Sequence, residues 1–161
     1  MLAYDGEMRY WDDQDQYTIA ILDHPTATDI KYLNNRGVKV ALVYGSGEDA
    51  VRDGIEAYQT ARALGVGKET TLFVEIDEEM EKIDWYYSTW AGIVYGNGYT
   101  PGLLARGRVL DEMVEKGYRG VWWQSDSGEI SSNAWLYSYT ENTSEVRQQF
   151  PVWGPQNIPL C

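Results

Sequence analysis

Short apolar runs alternate along this chain with segments whose apolar residues recur every three or four positions. The runs predict strands over residues 2–4, 17–22, 38–44, 71–77, 99–104, 120–124 and 134–139, with a last candidate over 150–153. Between them lie four helical patterns. Residues 28–36 predict a short helix with Thr26 or Thr28 as its cap and Gly37 as a left-handed stop. A second starts at Ser46, with Ser46 and Asp49 at capping-box spacing. It carries Val51, Ile55, Tyr58, Ala61 and Leu64 on one stripe and ends at Gly65 and Gly67. In the third, Met80, Ile83, Tyr87, Trp90, Ala91 and Val94 repeat at helical steps until Asn97-Gly98. Leu110, Met113 and Val114 mark a fourth, stopped by Gly117.

Strand–helix alternation implies a mostly parallel sheet in an α/β domain. An open doubly wound sheet and a closed barrel both fit this order. Eight candidate strands favour a compact, TIM-like (β/α)8-type barrel as a single domain over residues 1–161. Such barrels typically use about 250 residues. Helices after the first, sixth and seventh strands are therefore expected to be short or missing.

One strand runs straight into two acids: Thr71-Leu72-Phe73-Val74-Glu75-Ile76-Asp77. Side chains alternate along a strand, so Glu75 and Asp77 share a face, roughly 6–7 Å apart along the backbone. Like charges held together at the end of a buried strand are unfavourable to fold around, and they are also what acid–base chemistry on a glycosidic bond requires. The competing reading places them at the acidic N-terminus of the next helix, where Asp77, Glu78, Glu79 and Glu81 would favour the helix dipole. That accounts for Asp77 better than for Glu75, which lies inside the strand.

Composition narrows the function classes. A formal charge of −12 argues against nucleic acid, whose affinity comes mainly from Lys and Arg on phosphates, and against anionic membranes. No apolar run is long enough to span a bilayer, and residues 1–7 lack the features of a signal peptide. The expected location is cytoplasmic at synthesis, with virion association or release as later fates. Cys161 is the only cysteine and His24 the only histidine, so neither a disulfide nor a thiol metal site is expected, and no cofactor.

In parallel α/β folds the chemistry gathers at the carboxyl ends of strands. Those ends supply Asp5, Asp23, His24, Tyr44, Glu75, Asp77, Gln124, Asp126, Tyr137 and Tyr139, an acidic and aromatic rim suited to a sugar. Of the aromatic cluster Trp85, Tyr86, Tyr87 and Trp90, the helical stripe assigns Tyr87 and Trp90 to the core. Trp122 and Trp123 are neighbours on a strand, so one faces the helices and one the interior. Gly45-Ser46-Gly47 before a helix is read as helix entry in preference to a phosphate cradle. Asn142-Thr143-Ser144 matches a glycosylation sequon.

The order of these pieces resembles the glycoside-hydrolase-like family of unknown function whose barrels are related to family-25 lysozymes. The likeness runs through Val40-Ala41-Leu42-Val43-Tyr44, Gly47-Glu48-Asp49-Ala50, Ala63-Leu64-Gly65-Val66 and Leu72-Phe73-Val74-Glu75-Ile76-Asp77. It continues through Gly98-Tyr99-Thr100-Pro101-Gly102, Trp122-Trp123-Gln124 and Ala134-Trp135-Leu136-Tyr137. The resemblance implies a barrel that binds or cleaves cell-wall-type, peptidoglycan-like polysaccharide. Lysozymes of that type carry Asp-x-Glu at this strand; here the pair reads Glu75-Ile76-Asp77, in reversed order. Near the C-terminus, where the family often has an Asp close to an Asn, the chain has Gln156-Asn157. In an active enzyme, Glu75 or Asp77 would serve as general acid and the other would stabilise an oxocarbenium-like centre. Asp5 would match the acid after the first strand, Asp126 would support them, and Tyr44, Gln124 and Tyr137 would contact sugar. The alternative is a catalytically silent structural or surface module, such as a phage virion or tail protein, using the barrel to bind protein or glycan in a larger assembly.

Overall fold

A computed structural model of the chain describes residues 2–6, 8–11, 17, 19–22, 24–68, 70–77, 81–126, 128–138 and 145–148. The described residues form eight strands: β1 (Leu2–Gly6), β2 (Ile19–Leu22), β3 (Lys39–Val43), β4 (Thr71–Glu75), β5 (Thr100–Ala105), β6 (Val121–Gln124), β7 (Leu136–Ser138) and β8 (Glu145–Gln148). Among the described residues four α-helices join them: α1 (Ala27–Asn34), α2 (Ala50–Ala63), α3 (Ile83–Gly96) and α4 (Gly107–Glu115).

Strands β1 to β7 pair in sequence order, each parallel to the next. β8 runs antiparallel to both β7 and β1, and through it the sheet returns on itself. All four α-helices fall between β2 and β6. Among the described residues a 3-10 turn, Met8–Tyr10, follows β1, and no α-helix follows β6 or β7.

This overturns the expected (β/α)8, TIM-like barrel. The architecture is an α/β half-barrel of strand–helix units, completed on its helix-poor side by β7, β8 and β1. The physical reason lies in the chain after β6. Residues 125–135 are rich in Ser, Asp, Asn and Gly and carry no helical stripe, so β7 is reached by turns. β8 then arrives as an antiparallel return, which needs no crossover helix. β8 itself, Glu145-Val146-Arg147-Gln148, lies in a polar stretch where the sequence predicts no strand. The candidate strand over 150–153, the sequon, Gln156-Asn157 and Cys161 lie outside the described residues, as do Asp23, Glu78, Glu79, Met80 and Tyr139.

Alternation divides the core in two. Ile19, Ile21, Ala41, Phe73, Leu104, Val121, Trp123 and Leu136 fill the interior. Ala20, Leu22, Val40, Leu42, Leu72, Val74, Leu103, Ala105 and Trp122 face the helices, where Ile30, Leu33, Tyr87, Trp90, Leu110 and Met113 meet them. Trp122 and Trp123 thus divide as strand geometry requires. Room for the Phe73 ring exists because Gly102 faces it; a Cβ there would lie 2.5 Å from Phe73 Cδ1. On the outer face, Tyr87 is buried beside Trp90 and Trp122, and its hydroxyl donates to the Arg119 carbonyl at 2.8 Å. Burial pushes that hydroxyl well above the usual tyrosine range, so it stays a proton donor.

The helix ends show which local signals operate. Thr26 and Asp29 form a reciprocal capping box at α1, and Gly37 turns the chain at φ 73°. At α2 the cap is Asp49, which accepts from the Val51 and Arg52 amides, and not Ser46. α3 begins at Ile83 behind Lys82, whose backbone is left-handed and whose side chain caps nothing. Asp77 is therefore not the N-cap of that helix. No helix of the described residues is long and apolar enough to cross a membrane.

Candidate functional site

Beyond the carboxyl ends of β3, β4, β5 and β6 lies an open cleft of about 400 Å³. It is lined by Gly45, Ser46 and Gly47, by Glu75, Ile76 and Asp77, and by Arg106 and Ser125. The ladder continues one residue past each strand: the Tyr44 amide donates to Phe73 O, Ile76 to Leu104 O and Ser125 to Ala105 O. These bonds place the loops side by side and fix where each side chain emerges.

Glu75 is the last residue of β4 and continues the face of Phe73, which points into the interior. Its side chain is exposed at the mouth, and it makes no hydrogen bond or ion pair among the described residues. Asp77 is also exposed and shares the cleft. Arg106, the residue that precedes α4, lines the cleft as well, so two acidic residues and one basic residue border the opening. Sequence reasoning named the acids but not Arg106 as a member of the site.

The remaining predicted site residues are placed elsewhere. Asp5 pairs in register with Ile21 and so faces the interior near the carboxyl end of β1, half-buried, but does not line this cleft. Tyr44 packs against the helix-side core and lines a neighbouring hollow of about 230 Å³ with Arg52, Asp53 and Glu56. Tyr137 follows Leu136 of the interior cluster, so alternation turns it to the outer face. His24 is exposed with a left-handed φ of 48°.

Gln124 is fully buried, and its amide is spent internally. Nε2 donates to the Asp126 and Glu129 carbonyls, both at 3.1 Å, and Oε1 accepts from the Ser131 amide at 2.8 Å. Asp126 in turn accepts from the Gly107 amide at 2.8 Å, serving the first turn of α4 in place of a local cap. Gln124 thus holds the β6–β7 connection together, and Asp126 pins it to α4. Gln124→Leu would leave three backbone groups without their partner and is expected to lower stability by about 2–3 kcal/mol, measured by urea denaturation.

The residue that the sequence does not single out is Asp53, on α2. It is 3% exposed, and its carboxylate collects donors from two other elements. Oδ2 accepts from the Ser46 amide at 2.9 Å, the Ser46 hydroxyl at 2.8 Å, the Gly47 amide at 3.2 Å and the Tyr86 hydroxyl at 2.5 Å. Burial works to raise its pKa, and these hydrogen bonds outweigh that and hold it below the usual carboxylate value. Burial, and then the bond to Asp53, push Tyr86 well above the usual tyrosine range. The loop amides that a phosphate cradle would use already hold this internal anion. Gly45 is needed beside it: φ is 143°, and a Cβ would sit 2.5 Å from Val74 Cγ2 and 3.0 Å from the Tyr86 hydroxyl oxygen. An isolated Asp on a helix face carries no sequence signature of this role, although its place after a Gly-Ser-Gly loop is suggestive in retrospect.

Comparison with family models gives no match, and neither does comparison with curated proteins. Among solved structures the chain is similar to one described as the 1.07 Å crystal structure of an uncharacterized B. stearothermophilus protein. The TM-score is 0.68 at 18% identity, over 91% of this chain and 93% of that one. At that identity the likeness concerns the fold alone. It brings no support for the lysozyme, peptidoglycan or phage associations expected from the sequence, and with the half-barrel architecture it removes the TIM-barrel assignment.

Proposed function

We propose that this chain is a glycoside-hydrolase-like domain that binds saccharide in the cleft at the carboxyl ends of β3 to β6. The observation that carries the reading is the pair Glu75 and Asp77, exposed on one wall of that cleft with Arg106 beside them. Carboxylates accept hydrogen bonds from vicinal hydroxyls, and a guanidinium donates to ring or glycosidic oxygens. A cleft of about 400 Å³ is of a size for one or two sugar rings.

Binding without cleavage is the form of the reading that the geometry favours. General-acid catalysis depends on walls that exclude water around the reacting bond, and both acids here stand in the open. The reversed order of the acids works in the same direction. Exchanging Asp and Glu displaces each carboxyl by about one methylene, and misplacement of about 1 Å can cost on the order of a hundredfold in rate.

Titration of the labelled protein with a β-1,4-linked N-acetylglucosamine tetramer, followed by amide NMR, tests this. Shifts are expected at Gly45, Ile76, Arg106 and Ser125, and Glu75→Gln and Asp77→Asn are each expected to weaken binding by about fivefold to tenfold, as a neutral acceptor replaces a charged one. A panel of neutral, amino and N-acetylated oligosaccharides that produces no shifts at the cleft would remove the reading.

A further inference from the structure

We propose that Asp53 is a positioning residue for the cleft, holding the Gly45–Ser46–Gly47 loop as a fixed wall beside Glu75 and Asp77. The proposal rests on the reading that the cleft binds saccharide. Asp53 sits behind that wall: it lines the neighbouring hollow and not the cleft, while Gly45 and Ser46 line both. It therefore acts on a ligand only through the loop.

Three features make the tether directional. The Ser46 and Gly47 amides both point back to Oδ2, away from the opening. Tyr86 clamps the same oxygen from α3 and itself accepts from the Gly47 amide at 3.3 Å, so the loop is held from two helices. Val74 packs against Gly45 from the strand that ends in Glu75, which couples the loop position to the acid. A loop with two left-handed or Gly-only conformations, at Gly45 and Gly47, has no rigidity of its own. The carboxylate supplies it.

Asp53→Asn keeps the size of the side chain but removes the charge and turns one acceptor into a donor. Amide hydrogen exchange, tetramer affinity and the Glu75 and Ile76 resonances are measured together on the wild-type chain, Asp53→Asn and Tyr86→Phe. Asp53→Asn is expected to speed exchange at Ser46 and Gly47 by about tenfold or more, with the amides in the middle of α2 and α3 still protected, and to weaken tetramer binding by about tenfold. Tyr86→Phe is expected to do both by about threefold. If exchange at Ser46 and Gly47 is unchanged, or if it quickens while affinity is not altered, the proposal is overturned. If Asp53→Asn does not fold, Tyr86→Phe and Ser46→Ala decide on the same two readouts. If the wild-type chain binds no saccharide, the functional reading falls separately. Loop exchange together with displaced Glu75 and Ile76 resonances then supports the positioning role, and unmoved resonances reject it.

Discussion

Phe73→Ala is expected to destabilise the fold by about 3–5 kcal/mol, the range for removing a buried aromatic ring. The interior has few side chains to share the loss. Phe73 is fully buried there and meets Trp123 edge-on at a centroid separation of 5.4 Å. The other buried members of that cluster are aliphatic or as small as Ala41, with Trp135 partly buried against them. Packing around the ring is also specific, because Gly102 leaves no space for a Cβ against Phe73 and only a 3.1 Å approach to Thr71 Cγ2. Gly102→Ala alone is therefore destabilising by about 1–3 kcal/mol through overpacking. The double variant is expected to be more stable than the sum of the two losses predicts, by about 1 kcal/mol or more, since the added methyl enters the space the ring vacates. Urea denaturation of the four proteins closes the cycle. Strict additivity would show that the two positions do not share one packing site.

Asp53→Ala is expected to cost about 2–4 kcal/mol at neutral pH, by orphaning the buried Tyr86 hydroxyl and two loop amides. The sign of the pH dependence follows from the shift. The carboxyl is held below its ordinary value of 3.8 in the folded chain. Its contribution is therefore complete above that unfolded value and is lost as pH falls through the lower folded value. The stability gap between wild type and Asp53→Ala should stay constant from neutral pH down to about 5 and narrow in stronger acid. A gap that widens on acidification would mean that Asp53 is stabilised in its protonated form, contrary to the hydrogen bonding described. Tyr86 does not confuse the experiment, since its shift lies on the far alkaline side.

The strands and helices from Ile19 to Gln124 were largely legible because each follows a single periodicity, of two or of three to four. Trp122 and Trp123 could be assigned to opposite faces for the same reason. What escaped the sequence depends on relations between elements. Strand β8 is polar at three of its four positions and exists because β1 and β7 offer it edges. The (β/α)8 expectation extrapolated the strand–helix rhythm past β6, where turn-forming residues break it. At the site, Glu75 and Asp77 stood out as acids at a strand end, but whether an acid is exposed or buried is a tertiary fact. Gln124 has the chemistry of a sugar contact and spends it on three backbone groups. Asp53 looked like any helix-surface acid until α3 brought Tyr86 against it.

The antiparallel strand that joins β1 to β7 bears on how the chain reaches this fold. Every parallel pair from β2 to β6 joins segments separated by one helix or a short crossover, whereas β8 brings Val146 beside Ala3. Closing a loop of that length costs about 1.5 kcal/mol more in chain entropy than closing one of some 25 residues. Two strands of four or five residues return little until both neighbours of β8 are in place. The helix-covered half is therefore expected to assemble early from local contacts, with the meeting of the first and last strands as the late event of folding.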